Sequence, residues 1–531
     1  MFDALFTTTT EYQKLSHALS GKGACALFGL PASGRAQVYA ALCRQLDKPL
    51  CIVTPGEAEA TRFAADLNTL GIPAAVFPAR DYVLRPIEGT AREYEYRRLA
   101  VLGELVGGRL RAVAVPAEAL TQFTTPKEDF CANTRTLNTG DTLLRDDLLA
   151  ALFGAGYTRR AQVDGPGQFS VRGDIVDIFA PDQKMPVRME FWGDEIDTLH
   201  TFDLTTQRRE DAIDKFYLSP AREVLFGKPA DAAEQLRAFL AKQRGKKKTA
   251  MADCMAADLD LLDGGAVPVN MDKYLAVRYP RPATVLDYFD DPILVAEEPA
   301  SIREADRATA YRRGEELKSL ILDGVLCAGL DNLYADPSYL WSKTGHYRTI
   351  CAENFARSMP DQPLKDIINA PAHTLPAWNG EVAGLLEDLK PLCDAGYTVT
   401  LLAGTDRAAA GLARDLRDKG ILVTTDAAAT PAAGLVQVLA GHLSAGCEFP
   451  FAKYALLTGR AFGETSSQKK KRKKAKDALN SLTEITPGDL VVHQNHGIGR
   501  PALHRVPKSK YRAGHAATRC TPPPGPPGRR R

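Results

Sequence analysis

The stretch VDGPGQFSVRGDIVDIFAPDQKMPVRMEFWGDEIDTLHTFDLTTQRR, residues 163–209, decides the fold of the region around it. Two runs rich in β-branched and aromatic residues, 168–179 and 186–191, are separated by a polar link that contains prolines. This pattern predicts a β-hairpin. Gly173 interrupts the first run and predicts a bulge or bend there.

Strand alternation sorts the side chains of these runs onto two faces. The face that can bury against a core carries Val187, Met189 and Phe191. The outward face carries Arg172, Arg188 and Trp192. Trp and Arg are over-represented among the residues that anchor protein–protein contacts, so this face is a candidate partner-binding surface. The alternative is an exposed Trp beside two solvated arginines, which needs no functional explanation.

The segments GQFSVRGDIVDIF, residues 167–179, and VRMEFWGDEIDTLHTFD, residues 187–203, resemble a domain shared by two families of bacterial repair proteins. These are the excinuclease subunit UvrB and the transcription-repair coupling factor. In both families this domain binds UvrA, so the resemblance implies UvrA as a partner. It also implies that Arg172, Arg188 and Trp192 contact UvrA, because the family places its UvrA contacts at the matching positions.

Length and composition limit the class of protein. A chain of 531 residues predicts several domains, and 45% apolar with 25% charged residues is ordinary for a soluble globular protein. No apolar run is long enough to span a membrane, and the N-terminus lacks the features of a secretory signal. Ten cysteines without a CxxC pair indicate reduced thiols rather than a disulfide framework or a zinc site. We therefore expect a multidomain cytoplasmic protein with no membrane association.

The first part of the chain alternates short apolar strands with helical patterns. Strands are predicted at residues 24–28, 50–53, 74–77 and 112–115. This alternation predicts an α/β fold with a parallel sheet and crossover helices. Such sheets bind ligands at the carboxyl ends of their strands, where the loop GLPASGRA, residues 29–36, follows the first strand.

That loop has the spacing of a P-loop without its chemistry. Arg35 and Ala36 stand where GxxxxGK[ST] requires a lysine for the phosphates and a hydroxyl for Mg²⁺. An arginine head is not equivalent to an ammonium, and alanine has no oxygen. Gly29 and Gly34 can still turn the chain between strand and helix. The sequence therefore predicts a degenerate P-loop, with no catalytic residue and no bound cofactor.

The degenerate loop distinguishes the two families. UvrB keeps a working P-loop in this place, whereas the coupling factor carries a UvrB-like first domain with a decayed one. The resemblance therefore implies the organisation of the coupling factor. The expected parts are a UvrB-like domain at 1–120, an inserted α+β UvrA-docking domain at 121–211, a second UvrB-like domain at 212–348 and a small α/β domain at 349–462.

Two groups of charged residues could indicate further sites. Arg92, Arg97 and Arg98 begin a helix and could contact nucleic acid, but a solvated helix face is the favoured interpretation. Glu297 and Glu298 end a predicted strand and could hold Mg²⁺, but without a P-loop lysine a solvated pair is favoured.

The C-terminal part changes composition twice. A basic linker at 463–482, containing KKKRKKAK, could bind DNA without sequence preference. Residues 483–500 resemble the opening of the family's RNA polymerase-interaction domain, a small β-barrel. The matching residues are Leu490, Val491, Val492, His493, His496 and Gly497. Two histidines are too few for a zinc site, so no metal is expected. The Pro/Arg-rich tail at 501–531 has no such resemblance, so we expect an incomplete barrel and impaired polymerase binding.

Three functions of different classes follow from these patterns. The favoured one is a binding module, the N-terminal part of a transcription-repair coupling factor, which recruits UvrA to RNA polymerase stalled at DNA lesions. The chain contains no intact GxxxxGK[ST], so the ATP- and Mg²⁺-dependent translocase motor of the family is expected to be missing and the chain is not expected to be an enzyme. The alternatives are a UvrB-type ATP-dependent excision subunit and a DNA-binding fragment acting through its basic linker. A net charge of only +2 weakens the last alternative.

Overall fold

The computed structural model describes most of the chain and divides it into two units, Met1–Ala461 and Phe462–Arg531. The described residues are 7–86, 92–357, 359, 362–378, 382–429, 432–459, 491–493, 497–501 and 520–521. Within these ranges, no helix combines the length and the apolar character that crossing a lipid bilayer requires.

The first part of the chain alternates strands and helices, as the apolar pattern predicts. The strands are β1 (Gly23–Phe28), β2 (Leu50–Thr54), β3 (Ala74–Val76) and β4 (Ala112–Pro116). The helices are α1 (Thr10–Ala18), α2 (Ala32–Leu46), α3 (Glu57–Thr69), α4 (Glu93–Val106) and α5 (Ala117–Leu120). Every residue of β2 and β4 is buried, because these parallel strands are covered on both faces.

The next part is a mainly antiparallel β region. Its helices are α6 (Lys127–Ala132) and α7 (Arg145–Gly154). Its strands are β5 (Arg135–Asn138), β6 (Thr158–Arg159), β7 (Gln168–Arg172), β8 (Ile175–Phe179), β9 (Val187–Trp192), β10 (Glu195–Phe202), β11 (Arg209–Ala212) and β12 (Lys215–Leu218). Strands β6–β11 form one sheet in the order β11-β10-β9-β8-β7-β6, while β5 pairs with β12. Only the pair β6–β7 of that sheet is parallel.

The predicted first β run proves to be two strands. Gly173, with φ of +60°, and Asp174 form a two-residue turn between β7 and β8. The expected bulge or bend is therefore a full reversal of the chain, because glycine adopts positive φ without steric cost.

The chain then returns to the first sheet. Its helices are α8 (Pro229–Ala241), α9 (Gly245–Asp263), α10 (Leu275–Arg278), α11 (Pro299–Leu322) and α12 (Tyr339–Lys343), with 3₁₀ turns at Met271–Tyr274 and Val285–Tyr288. Its strands are β13 (Ile293–Glu297), β14 (Arg348–Glu353) and β15 (Leu364–Asn369). They complete a seven-stranded parallel sheet in the order β15-β1-β14-β13-β2-β4-β3.

A second, smaller α/β sheet follows. It contains β16 (His373–Leu375), α13 (Val382–Asp394), β17 (Thr398–Leu402), α14 (Asp406–Asp418), β18 (Val423–Thr424), β19 (Val436–Leu439), β20 (Gly446–Phe449), a 3₁₀ turn (Pro450–Ala452) and β21 (Tyr454–Thr458). The strand order is β16-β20-β21-β17-β19-β18. The observed architecture up to residue 459 is therefore multidomain α/β.

In the second unit the described residues form a three-stranded antiparallel sheet. Its strands are β22 (Val491–His493), β23 (Gly497–Pro501) and β24 (Cys520–Thr521), in that order. These described strands do not close a barrel. The predicted basic linker at 463–482, Leu490, His496 and most of the predicted tail lie outside the described residues.

The arginine row on helix α4 does not form a uniformly solvated face. Arg98 is 0% exposed, and its guanidinium donates to both carboxylate oxygens of Glu223 at 2.6 and 3.2 Å. Its guanidinium carbon also lies 4.1 Å from the centre of the Phe77 ring. The solvated interpretation is therefore wrong for Arg98, because the segment that leaves the β region packs over this side of the helix.

The other two arginines of the row also have partners. Arg92 donates to Glu95 at 2.8 Å, within one helical turn. Arg97 is half-exposed and lies 3.8 Å from the equally exposed Glu57. The predicted solvated face is thus confirmed only for Arg97.

Helix α11 buries an acidic side chain, Asp306, and this burial raises its pKa to about 6. The unfolded chain has the ordinary pKa of about 3.9 for Asp, so the folded state favours the protonated form. The resulting stabilisation is complete below about pH 4 and is lost as the pH rises through about 6. We therefore expect Asp306→Asn to raise the free energy of unfolding by about 1 kcal/mol at neutral pH and to leave it nearly unchanged at pH 4.

Urea denaturation at both pH values measures this effect. Glu304→Gln is the matched control, because Glu304 is exposed on the same helix. A gain of the same size at both pH values, or a gain equal to that of the control, would show that ionisation of Asp306 is not the cause.

Candidate partner-binding site and P-loop-like turn

Two hairpin tips, at the ends of β7 and β9, lie on the same side of the six-stranded sheet. Strands β7 and β9 run in the same direction because both are antiparallel to β8 between them. Each ends in a two-residue Gly-Asp turn, and Gly173 and Gly193 have φ of +60° and +65°. The last residues before the turns are Arg172 and Trp192. The fold therefore brings these two predicted residues to the same end of the sheet.

Arg172 and Trp192 are on the outward face, as alternation predicts. Trp192 is 82% exposed. Arg172 is also exposed and donates from Nη2 to the carbonyl oxygen of Ala161 at 3.2 Å. The opposite face carries the buried Val187, Met189 and Phe191, as predicted. A large indole this open is available for a partner.

Arg188 is on the same face but is not freely exposed. Its guanidinium donates from Nε and Nη2 to the two carboxylate oxygens of Asp177, at 2.7 and 2.9 Å. Nη1 donates to the carbonyl oxygen of Gln207 at 3.2 Å, and the guanidinium carbon lies 4.8 Å from the centre of the Phe202 ring. Hydrogen bonding to Asp177 raises the pKa of Arg188 above its ordinary value. The expectation of three freely exposed side chains is therefore corrected for Arg188.

A small apolar cluster on the outward face explains why the end of that face around Arg188 is covered. Its members are Val163, Phe179 and Phe202, with Leu204 packed against them. Asp177, opposite Arg188 in the neighbouring strand, is only 1% exposed. The outward face therefore has an open end at the hairpin tips and a closed end around Arg188.

Two further residues contribute to the open end: Arg145, which sequence reasoning missed, and Glu190, which alternation placed on this face without a role. Arg145, from helix α7, donates from Nη1 to the carbonyl oxygen of Gly173 at 2.8 Å and supports that tip. Glu190 accepts from Thr198 Oγ1 at 3.3 Å and also from Arg209. Alternation along β9 places Glu190 on the outward face, whereas no local pattern identifies Arg145.

The P-loop-like stretch differs from the prediction in its local structure. Gly29, with φ of +89°, turns the chain after β1, as expected. Helix α2 already begins at Ala32, so Gly34, Arg35 and Ala36 lie inside the helix. The expected role of Gly34 as a turn residue is therefore wrong, and packing is the reason for a glycine there.

Strand β20 of the smaller sheet packs against the first turn of helix α2. A Cβ atom at Gly34 would lie 2.9 Å from Cys447 Sγ, which is closer than such atoms normally approach. Ser33 Oγ lies 3.5 Å from the carbonyl oxygen of Gly446, to which it donates. The helix end that would have to receive phosphate oxygens is therefore covered by protein.

Arg35 bridges acidic residues instead of serving a nucleotide. Its Nη2 lies 2.9 Å from a carboxylate oxygen of Glu297 and 2.9 Å from one of Glu298. Tyr39 donates its hydroxyl to Glu297 at 2.6 Å. Glu297 is 1% exposed, so the solvated-pair interpretation is wrong for it. Arg35, on helix α2, binds both glutamates at the end of β13. A sequence pattern cannot show this contact, because the partners are far apart along the chain.

These residues do not fit Mg²⁺ and ATP. The two glutamates are bound to Arg35, the position of the hydroxyl ligand is Ala36, and β20 covers the helix start. Among the described residues there is also no group of three or more His, Cys, Asp or Glu side chains that could hold a metal ion.

Comparison with known proteins covers both the β region and the chain as a whole. Residues 136–224 match the family model described as the UvrB interaction domain, and this range contains both hairpin tips. A transcription-repair-coupling factor of Bacillus subtilis is 26% identical over 489 residues, which cover 89% of this chain and 41% of that protein. One of Staphylococcus haemolyticus is 26% identical with the same coverage, and one of Staphylococcus aureus is 24% identical over 93% of this chain and 43% of its own length.

The chain thus spans less than half the length of the relatives that it matches. The match is nearly end to end on this chain, and the UvrB interaction domain contains the exposed Trp192 and Arg172. The sequence and its comparisons therefore identify the chain as similar to the N-terminal portion of the transcription-repair-coupling factors.

Proposed function

We propose that the chain is the UvrA-binding part of a factor that recruits UvrA to RNA polymerase stalled at DNA lesions, and that its own contact with the polymerase is impaired. The open end of the outward face, where Trp192 and Arg172 are both exposed at neighbouring hairpin tips of the matched domain, is the observation that carries this proposal. A guanidinium binds carboxylates in pairs and an indole offers a large apolar surface, so the two side chains suit an acidic, partly apolar patch. A UvrA contact by Arg188, whose guanidinium Asp177 holds at the closed end of this face, stays a prediction.

Sedimentation of the purified chain with purified UvrA tests the proposal. The expected result is a complex at micromolar concentrations, because a central aromatic anchor typically contributes several kcal/mol to an interface. Independent sedimentation of the two proteins under these conditions would contradict recruitment by this chain.

The proposal includes the absence of ATP hydrolysis. We expect no phosphate release above background at saturating ATP, because Arg35 is bound to Glu297 and β20 covers the helix start. The double variant Arg35→Lys, Ala36→Thr restores the residue types of the motif but should remain inactive for the same steric reason. Steady phosphate release from the unmodified chain would contradict this and favour a UvrB-type enzyme.

Binding to RNA polymerase is expected to be weak. The described strands of the second unit form three antiparallel strands without closure, and open strand edges do not make a stable barrel. Titration with purified polymerase measures this. Submicromolar affinity would show that the polymerase-binding surface is intact. Contact with DNA through the basic residues 469–476 is proposed to be non-specific and to weaken steeply with salt.

A further inference from the structure

A groove of about 980 Å³ borders the edge of the six-stranded sheet, away from Trp192 and Arg172. One wall is the edge strand β6 with Arg160 after it, and the other is the loop that contains Val267 and Val269. Val224 and Phe226, which are buried, line it as well. Its volume is at the upper end of the range for ligand sites, so it can accept several residues of a peptide.

The free charge in this groove is positive. Arg159 and Arg160 are both exposed, and within the described part of the chain neither side chain has an ion-pair partner. Asp164 is the exposed acid among the lining residues. Two unpaired arginines against one carboxylate favour an acidic occupant.

The other charged residues of the lining already have polar partners. Arg222 donates to the Tyr96 hydroxyl at 3.1 Å and to the Ala221 carbonyl oxygen at 3.0 Å. Arg92 is bound to Glu95 at 2.8 Å and to the Val269 carbonyl oxygen at 2.7 Å. Asp272 accepts two hydrogen bonds from Arg80, at 2.7 and 3.1 Å. These groups hold the walls together and leave Arg159 and Arg160 to face a ligand.

Apolar side chains in the lining remain open to solvent. Val267 is 56% exposed, and Val269 and Phe153 are each more than one-third exposed. Pro166 and Pro229, which are half-buried, add further apolar surface. A lining with this much apolar area and only two free cations is unlike a nucleic-acid channel, which needs a continuous positive surface. It suits a peptide in which acidic and apolar side chains alternate.

The edge strand offers main-chain groups to such a peptide. Strand β6 pairs with β7 on one side, and Thr158 and Arg160 donate their N–H groups to Gly167 and Phe169 carbonyl oxygens at 2.9 and 2.8 Å. Because hydrogen-bonding direction alternates along a strand, the main-chain N–H and C=O of Arg159 face away from β7. An extended segment can pair there and present its side chains to the groove.

We propose that this groove binds an extended segment of a partner protein that carries carboxylates beside apolar side chains. The site lies outside the hairpin tips, so it is a second docking surface that does not depend on UvrA recruitment. Its recognition combines main-chain pairing at Arg159, charge pairing with Arg159 and Arg160, and burial of apolar side chains against Val267 and Val269.

Fluorescence anisotropy with synthetic peptides tests the proposal on the full chain. The probe is a labelled peptide of alternating Glu and Val, compared with one of alternating Lys and Val and with an oligothymidylate of equal length. The Glu-Val peptide is expected to bind, and the Lys-Val peptide is expected to bind at least about tenfold more weakly. The oligonucleotide can bind the basic residues 469–476, so its affinity is expected to be the same for the unmodified chain and for the variant in which Arg159 and Arg160 are changed to Glu.

Two variants separate the contributions of the groove. Arg159→Glu with Arg160→Glu should reverse the preference between the two peptides, and Val267→Ser with Val269→Ser should weaken both. Trp192→Ala should leave Glu-Val binding unchanged, which distinguishes failure of this site from failure of UvrA recruitment. Equal binding of the Glu-Val peptide by the unmodified chain and the charge-reversal variant, oligonucleotide binding that is lost in the charge-reversal variant, or no Glu-Val binding would each overturn the proposal.

Discussion

Replacing Trp192 by alanine is expected to weaken UvrA binding by about 2 kcal/mol or more, roughly thirtyfold, because a central aromatic anchor typically contributes that much. The same change should alter the free energy of unfolding by less than about 0.5 kcal/mol, because the side chain is 82% exposed and supports no core contact. Calorimetric titration with UvrA and thermal unfolding measure the two quantities on the same protein.

Tyr311→Ala is the matched control for this variant. Tyr311 is an equally open aromatic side chain on helix α11, away from the sheet face, so its loss should change neither quantity. Arg172→Ala should behave like Trp192→Ala, with a smaller loss of affinity. Arg188→Ala is unsuitable as a binding probe, because it leaves the carboxylate of Asp177 buried without its partner and destabilises the fold. A lower melting temperature for Trp192→Ala without a change in UvrA affinity would contradict the recognition role.

Arg98→Ala is expected to destabilise the parallel-sheet part of the chain by about 3–5 kcal/mol, the typical cost of removing one partner of a buried ion pair. Glu223 is 0% exposed and would lose both hydrogen bonds from this guanidinium, while the Phe77 ring would lose its cation. Gln122 would also lose the N–H donated to its side-chain oxygen at 2.9 Å. Urea denaturation followed by circular dichroism measures the loss.

Arg97→Ala, one residue earlier, provides the matched control. Its exposed pairing with Glu57 at 3.8 Å should contribute less than about 1 kcal/mol. Equal stability of the Arg98 and Arg97 variants would mean that the buried pair does not hold the β region to the parallel sheet.

The sequence predicted those features that depend on neighbouring residues. The apolar runs at β1, β2 and β4 predicted a parallel sheet, because strands covered on both faces need continuous apolar character. Alternation along β9 predicted which side chains are buried and which face outward. The loss of P-loop chemistry, which Arg35 and Ala36 predict from residue type alone, stays a prediction.

The features that could not be predicted depend on contacts between distant parts of the chain. Arg35 binds Glu298, which is 263 positions away, and Arg98 binds Glu223, which is 125 positions away. A charged side chain on a helix or at a strand end looks the same in sequence whether water or a distant carboxylate is its partner. Likewise, the covering of Arg188 depends on how the chain after β10 folds back over the sheet.

Competition between this chain and UvrB for UvrA is the measurement that tests the central claim most directly. If the matched domain binds UvrA as the corresponding domain of UvrB does, saturating UvrB should displace the labelled chain from UvrA completely. The Trp192→Ala variant should be displaced at a correspondingly lower UvrB concentration. Two outcomes would contradict the account: the labelled chain stays bound to UvrA at saturating UvrB, or it does not bind UvrA at all.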